Sequence, residues 1–272
     1  MNSIALPELD DLIQLEQSHV EAFRKNGHTL TRGLLKPEEV IIYRDVINEA
    51  AYRYNTEKRK LDERDTYGKA FLQIMNLWEV DERVRKFTLA KRFAGIAASL
   101  LGVQNVRIYH DQALYKEPGG GFTPWHQDQY YWPLNTSNTV TMWMPLIDIK
   151  EHLGMLTFAT GSHNNGFAGN ISISDESEEI LEKLIKEKGF SLYRPEFMNA
   201  GDATWHYGWT LHSAPGNLSA DITREVMTII YFADGAEITE PINKHQEADR
   251  QRWLEGLEPG RPAASRLNPL VL

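Results

Sequence analysis

Gly102 divides the chain into two textures, and the second one sets the fold. Downstream, the runs 106–115, 139–147, 190–195 and 225–233 are short and rich in β-branched and aromatic residues, the composition that suits a pleated, half-buried surface. Turn signals separate them at Pro118-Gly119-Gly120-Gly121, Gly161, Gly166, Gly201 and Pro215-Gly216-Asn217. Short strands punctuated in this way build an antiparallel sandwich or jelly roll. Upstream, apolar spacing predicts helices over 9–25, 36–58 and 81–101. Gly27 stops the first, Pro37 lies in the first turn of the second, and Gly102 ends the third. The charged stretch 61–65 reads as a solvated connector. One amphipathic helix, 174–188, interrupts the strands, with Ser174 or Asp175 as its cap. Segment 259–269 is proline-spaced and reads as an extended tail along the surface. The expectation is a single α+β domain over 1–272, with helical support in 1–102, a mainly β core in 103–235 and a C-terminal tail in 236–272.

A chain of 272 residues can bury a core without staples, and it contains no cysteine. A disulfide frame, a thiolate metal site and a cysteine nucleophile are therefore excluded. Any metal must sit on His, Asp or Glu. Lys and Arg number 29 against 38 Asp and Glu, which argues against a basic face for nucleic acid or anionic lipid. Residues 1–11 carry three acids and no base, unlike a secretory or transit peptide. No apolar run approaches the roughly 18 residues of a membrane span. These features predict a cytoplasmic protein with no nucleic-acid and no membrane partner. They leave the oligomeric state open.

The sharpest constellation is Trp125-His126-Gln127-Asp128. In extended chain, residues i and i+2 point to one side, so His126 and Asp128 can aim an imidazole and a carboxylate at a single point. A second imidazole, His212, stands in the same β region within Thr210-Leu211-His212-Ser213-Ala214-Pro215. Two histidines and one carboxylate on a rigid sheet form the facial triad that holds Fe(II) with open positions. Twelve residues later, Arg224 opens the apolar run 225–232. A guanidinium leading a buried strand is costly without an anionic partner, and its planar fork suits a carboxylate.

The stretch from Thr123 through His126 and Asp128 to Pro133 resembles the phytanoyl-CoA dioxygenase family, as do Trp143-Met144-Pro145-Leu146, Gly154 to His163, Gly201-Asp202, His212-Ser213-Ala214 and Arg224. The resemblance runs from about Asn26 to Leu272. It implies a double-stranded β-helix (a cupin-like jelly roll) buttressed by N-terminal helices. It also implies a non-haem dioxygenase that uses Fe(II), 2-oxoglutarate and O2. Carried over residue by residue, it makes His126, Asp128 and His212 the iron ligands. Arg224 clamps the distal carboxylate of 2-oxoglutarate, and Gln112, Thr123 and Trp143 match further cosubstrate neighbours. Some members carry a small polar residue two positions after the distal histidine, where this chain has Ala214, leaving Ser213 as the candidate. Halogenating relatives replace the carboxylate ligand with a small residue, so Asp128 favours oxygen transfer to carbon.

The expected reaction is hydroxylation of an unactivated C–H bond in a small metabolite, with release of succinate and CO2. Desaturation, epoxidation or cyclisation on the same iron are alternatives. A non-catalytic jelly-roll binding protein or a cupin-like metal isomerase is the alternative from another class, and neither needs a buried Arg224. Substrate candidates are Gln127 and Tyr130 beside the ligands, Gln73 and Asn76 in the 71–76 stretch, and Lys69 as an anion contact. No basic cluster is visible for a coenzyme A phosphate. His206 is the alternative ligand and reads first as inner packing or a substrate contact. His163 reads as a loop-fixing residue and His110 as a buried hydrogen-bonding one. His19, His28, His152 and His245 belong to no constellation and read as surface. The Gly-, Asn- and Ser-rich segment 161–174, with 69–76, is expected to border the pocket mouth as a lid.

Overall fold

The structure, a computed structural model, describes residues 5–272. Eight α-helices run in chain order among the described residues: α1 (Gln17–Asn26), α2 (Pro37–Tyr54), α3 (Thr66–Ala70), α4 (Leu77–Val80), α5 (Glu82–Thr88), α6 (Lys91–Leu101), α7 (Asp175–Lys188) and α8 (Lys244–Trp253). Twelve strands accompany them. These are β1 (His28–Thr31), β2 (Leu72–Met75), β3 (Val106–Lys116), β4 (Thr123–His126), β5 (Thr139–Pro145), β6 (Ile149–Lys150), β7 (Thr157–Ala159), β8 (Leu192–Tyr193), β9 (Phe197–Met198), β10 (Ala203–Tyr207), β11 (His212–Ala214) and β12 (Arg224–Ala233). The large sheet has the order β1-β10-β5-β12-β3-β2 and the small one β4-β11-β7-β8. All pairings in both are antiparallel.

Strand β12 shows why the two sheets enclose a site. Its side chains alternate with the period of two that a strand imposes. Met227, Ile229 and Tyr231 face outward into a core shared with Tyr43 and Ile47 of α2, Phe87 of α5, and Phe93, Ile96 and Leu100 of α6. Arg224, Thr228 and Ile230 face the interior cavity. Val226 packs there against Met155, Phe158 and Ala214, joining the large sheet to the small one. The helical layer is pinned by Arg92, which donates to Glu39 at 2.7 Å, to Asp11 at 2.6 Å and to the carbonyl of Leu34 at 3.3 Å.

Several elements differ from their sequence-based expectation. The first helix starts at Gln17 because tertiary partners claim the segment before it: Tyr43 donates to the carbonyl of Pro7 and Arg92 N–H to that of Leu9. The 81–101 helix divides into α5 and α6, with Ala90 extended between them. This break sets Phe87 and Phe93 edge to face at 5.0 Å. The predominantly helical first hundred residues also contribute two edge strands, β1 and β2. The tail is packed rather than merely superficial: Ala263, Leu267 and Asn268 are buried, and 269–272 hydrogen-bonds the free edge of β3 at Val106 and Ile108. Ahead of it stands α8, whose polar sequence gave no apolar stripe to read; Trp253 anchors it beside Tyr109, Trp132 and Phe232.

His28 is the correction with the clearest energetic consequence. It is buried on β1, stacked on Phe158 at 4.8 Å and Tyr193 at 5.0 Å, and contacts Thr160 Oγ1 at 2.9 Å. Burial, reinforced by His206 and His163, pushes its imidazole down to about 4. The unfolded chain therefore binds a proton that the folded chain refuses. The stability tied to the neutral ring is present above the unfolded value and lost as pH falls from about 6.5 to about 4, by at most about 3 kcal/mol. Urea titrations across that range should show a smaller loss of stability in His28→Phe than in wild type; equal losses would remove His28 as a cause.

Candidate active site

Strands β4 and β11 are neighbours, and their register sets His126 directly opposite His212. The two rings lie 4.1 Å apart between centroids. Each spends its Nδ1–H on the backbone carbonyl two residues before it, Pro124 at 2.7 Å and Thr210 at 3.0 Å. That bond fixes the tautomer and leaves the Nε2 lone pair free, as a metal ligand requires. Both Nε2 atoms point at Asp128 Oδ1, at 3.6 Å from His126 and 3.7 Å from His212. The ligand atoms of all three residues lie within 4.8 Å of one another.

The second carboxylate oxygen of Asp128 is held from behind. Thr141 donates to Oδ2 at 2.8 Å and His206 Nε2–H donates to it at 3.2 Å. His206 thus faces the back of the carboxylate rather than the point where the other two imidazoles converge. Burial pushes His126 and His212 down to about 4, with His212 and His206 respectively adding to the effect. Burial would raise Asp128, but the surrounding imidazoles outweigh it and hold the carboxyl far below the usual range. Two neutral imidazoles and one ionised carboxylate are the protonation states in which this set can bind a divalent cation.

Arg224 opens β12 on the cavity face. Its Nη1 donates to the carbonyl of Gly154 at 2.7 Å, Trp143 lies under the guanidinium at 5.3 Å, and the buried Nε has no partner. Burial lowers it to about 9. Among the described residues no carboxylate pairs with it. An unpaired edge of a buried guanidinium on the same cavity as the triad can accept an organic anion.

A cavity of about 500 Å³ joins these groups. Of the residues expected from sequence, Gln73, Gln112, Thr123, Trp143 and Arg224 line it together with the triad. Lys69, Asn76, Gln127, Tyr130 and Ser213 do not, and four of them show a structural task. Asn76 has a left-handed backbone at φ 51° and accepts from the Trp78 indole. Gln127 donates to the carbonyls of Gly166 and Trp209. Tyr130 donates to Asn170, and the Lys69 carbonyl accepts from Gly121 N–H. On β11 it is Ala214, not Ser213, that shares the cavity face with His212. Segment 161–174 contributes Ser172 and Ile173 to the wall.

Sequence reasoning missed Thr141 and the wall supplied by α8. His245, expected at the surface, lines the cavity with Asp249, Arg252 and Trp253. Tyr109 donates to Asp249 at 3.1 Å, and burial pushes that carboxyl up to about 7. A polar ladder crosses the same wall: Tyr67 donates to Gln73 at 3.0 Å, Gln73 to Gln112 at 3.0 Å, and Gln112 approaches His110 Nδ1 at 3.5 Å.

Comparison with known proteins agrees with this geometry. Phytanoyl-CoA dioxygenase domain-containing protein 1 of Danio rerio is 24% identical over 292 residues, spanning 90% of this chain and 96% of that protein. The non-haem α-ketoglutarate-dependent carbocyclase SnoK from nogalamycin biosynthesis has a TM-score of 0.78 at 25% identity, covering 95% of this chain and 97% of its own. The epimerase SnoN, in a complex with Fe3+, α-ketoglutarate and nogalamycin RO, has a TM-score of 0.76 at 22% identity, covering 94% and 98%. No helix among the described residues is long and apolar enough to cross a membrane. Residues 23–226 match the family of phytanoyl-CoA dioxygenase, and the chain belongs to that family, as an enzyme of the Fe(II)- and 2-oxoglutarate-dependent oxygenase class with O2 as its second cosubstrate.

Proposed function

We propose that this enzyme hydroxylates a C–H bond of a small, largely uncharged metabolite. His126, Asp128 and His212 hold the iron, and Arg224 receives the distal carboxylate of 2-oxoglutarate. The observation that carries the reading is the convergence of the three ligand atoms within 4.8 Å on the same cavity as a buried guanidinium without a carboxylate partner. Iron with 2-oxoglutarate and O2 supplies the oxidising chemistry: one oxygen atom goes to the substrate, the other to succinate, and CO2 leaves. The protein's own part is positional. Thr141 and His206 hold Asp128 Oδ2, leaving Oδ1 to the metal. Trp143 stacks on Arg224 and keeps water from the carboxylate–guanidinium pair.

The substrate side of the cavity supports the substrate class. Phe71, Tyr131, Trp132 and Trp253 give it aromatic walls. The Tyr67–Gln73–Gln112–His110 ladder is neutral, because burial pushes His110 down to about 3. Arg252 is the one cation on the α8 wall, which is too little for a coenzyme A phosphate cluster. Asp249 and Tyr109 offer a polar group at the end away from Arg224. A second reading, ring closure on the same iron, is favoured by the likeness to SnoK. Product mass separates the two: hydroxylation adds one oxygen atom, and ring closure removes two hydrogens. A metabolite panel read by succinate release and product mass tests the proposal. Succinate formation stimulated by no panel compound, with Fe(II) and 2-oxoglutarate bound, would speak against a small-molecule oxygenase.

Three substitutions give sharper readouts. His126→Ala should weaken Mn(II) binding beyond the roughly 10–100-fold expected for losing a supporting partner, while His206→Ala should stay within that range. Wild-type affinity in His126→Ala would remove it from the ligand set. Arg224→Ala should raise the 2-oxoglutarate requirement by at least about tenfold, since a charge-assisted hydrogen bond contributes roughly 1.5–3 kcal/mol. Arg224→Lys should recover only part of it, because an ammonium lacks the planar fork. Asp249→Ala should raise KM for the substrate that the panel identifies and leave KM for 2-oxoglutarate unchanged. A matching rise in both would place Asp249 in the general architecture instead.

A further inference from the structure

Lys116 ends β3 directly opposite Arg224 on β12, and both side chains are buried. Like charges set opposite each other on one sheet face repel, and burial adds the cost of lost hydration. The carboxylates next to them in sequence are engaged elsewhere: Glu117 pairs with Arg64, and Glu225 with Arg44. Among the described residues no carboxylate pairs with Lys116 either. Its Nζ is held by neutral acceptors, donating to the carbonyl of Gly121 and to Thr123 Oγ1 at 3.4 Å. Gly154, at φ 80°, lets its stem pass, because a Cβ there would come within 2.8 Å of Lys116 Cδ. The carbonyl of the same glycine accepts from Arg224. One glycine thus seats both side chains, and Thr123, the first residue of β4, lies on the cavity wall beside them.

We infer that Lys116 is a positioning residue for the anionic cosubstrate, acting as a second positive charge behind Arg224 and as the donor that orients Thr123. By donating to Thr123 Oγ1, Lys116 turns the hydroxyl proton toward the cavity, where it meets the carboxylate that Arg224 receives. This rests on the reading of Arg224 as the 2-oxoglutarate receptor. Burial and the field of Arg224 push Lys116 down to about 6, so near neutral pH the empty site holds one full cation. Arg224 is the titratable group that faces Lys116 from β12, while β4 and the 118–121 turn present only Thr123 and backbone. An arriving carboxylate cancels the repulsion and favours the protonated amine, so binding takes up a proton from solvent.

The test is calorimetric titration of N-oxalylglycine, a 2-oxoglutarate analogue, into the full-length Mn(II)-loaded enzyme at about pH 7.5, in two buffers of different ionisation enthalpy. Wild type should take up a substantial fraction of one proton per ligand. Lys116→Met should lose that uptake and bind the analogue at least about tenfold more weakly, the loss expected for one charge-assisted contact, with Mn(II) affinity unchanged. Unchanged analogue affinity in Lys116→Met, while Arg224→Met binds poorly, would overturn the role of Lys116 alone. No proton uptake by wild type would overturn it too, without recourse to any variant. Undiminished binding in Arg224→Met, or no binding by wild type, would instead bring down the underlying cosubstrate reading.

Discussion

The antiparallel seam of β12 with β3 and β5 separates packing from chemistry, and nearly everything else in the molecule follows from it. The period of two sends Met227, Ile229 and Tyr231 into the helical layer and Arg224, Thr228 and Ile230 into the cavity. A slip of one residue would exchange those sets, turning Arg224 to the helical side, where Glu225 now pairs with Arg44, and turning isoleucine and methionine toward the metal site. Ten register pairs with β3 and seven with β5 make such a slip costly. The outward core therefore supplies the rigidity, and the inward face is free to carry groups that a stable protein would otherwise avoid.

Those groups have an electrostatic logic. His126 and His212 are neutral, Asp128 is ionised, and the Arg224 guanidinium and the Lys116 amine lie opposite each other without a carboxylate. Each is unfavourable in an empty site and favourable once a divalent cation and a dicarboxylate arrive. The unsatisfied charge divides in space: the uncompensated anion, Asp128, sits at the triad, and the uncompensated cation, Arg224, at the start of β12 beside the Lys116 amine. A ligand with a metal-chelating end and a distal carboxylate matches both, which is the shape of 2-oxoglutarate. The far wall, built from β2, β3 and α8, carries aromatics and polar groups, with Arg252 as its cation.

Much of this was legible in the sequence because the residues concerned are chemically rare in their contexts. The His126-Gln127-Asp128 spacing and an arginine at the head of an apolar strand need no tertiary information. The long strands β3, β5 and β12 also announced themselves by β-branched runs. What stayed hidden depends on pairing. Strands β1 and β2 are four residues each and exist because an edge of the large sheet accepts them. Helix α8 has almost no apolar stripe, so its contribution to the cavity could not be read from periodicity. Lys116 precedes Glu117-Pro118-Gly119, a context that reads as a surface turn, yet register places it against Arg224. His28 looked solitary because its aromatic neighbours, Phe158 and Tyr193, are more than a hundred residues away in sequence.

The central claim is that two imidazoles and one carboxylate oxygen hold a single iron while His206 stays behind Asp128. Anaerobic crystals of the Fe(II)-loaded enzyme, measured at the iron absorption edge, address it directly. The account predicts one anomalous peak about 2.0–2.2 Å from His126 Nε2, His212 Nε2 and Asp128 Oδ1, with His206 Nε2 still donating to Oδ2. A peak bound to His206, or one lying away from these three atoms, would contradict it.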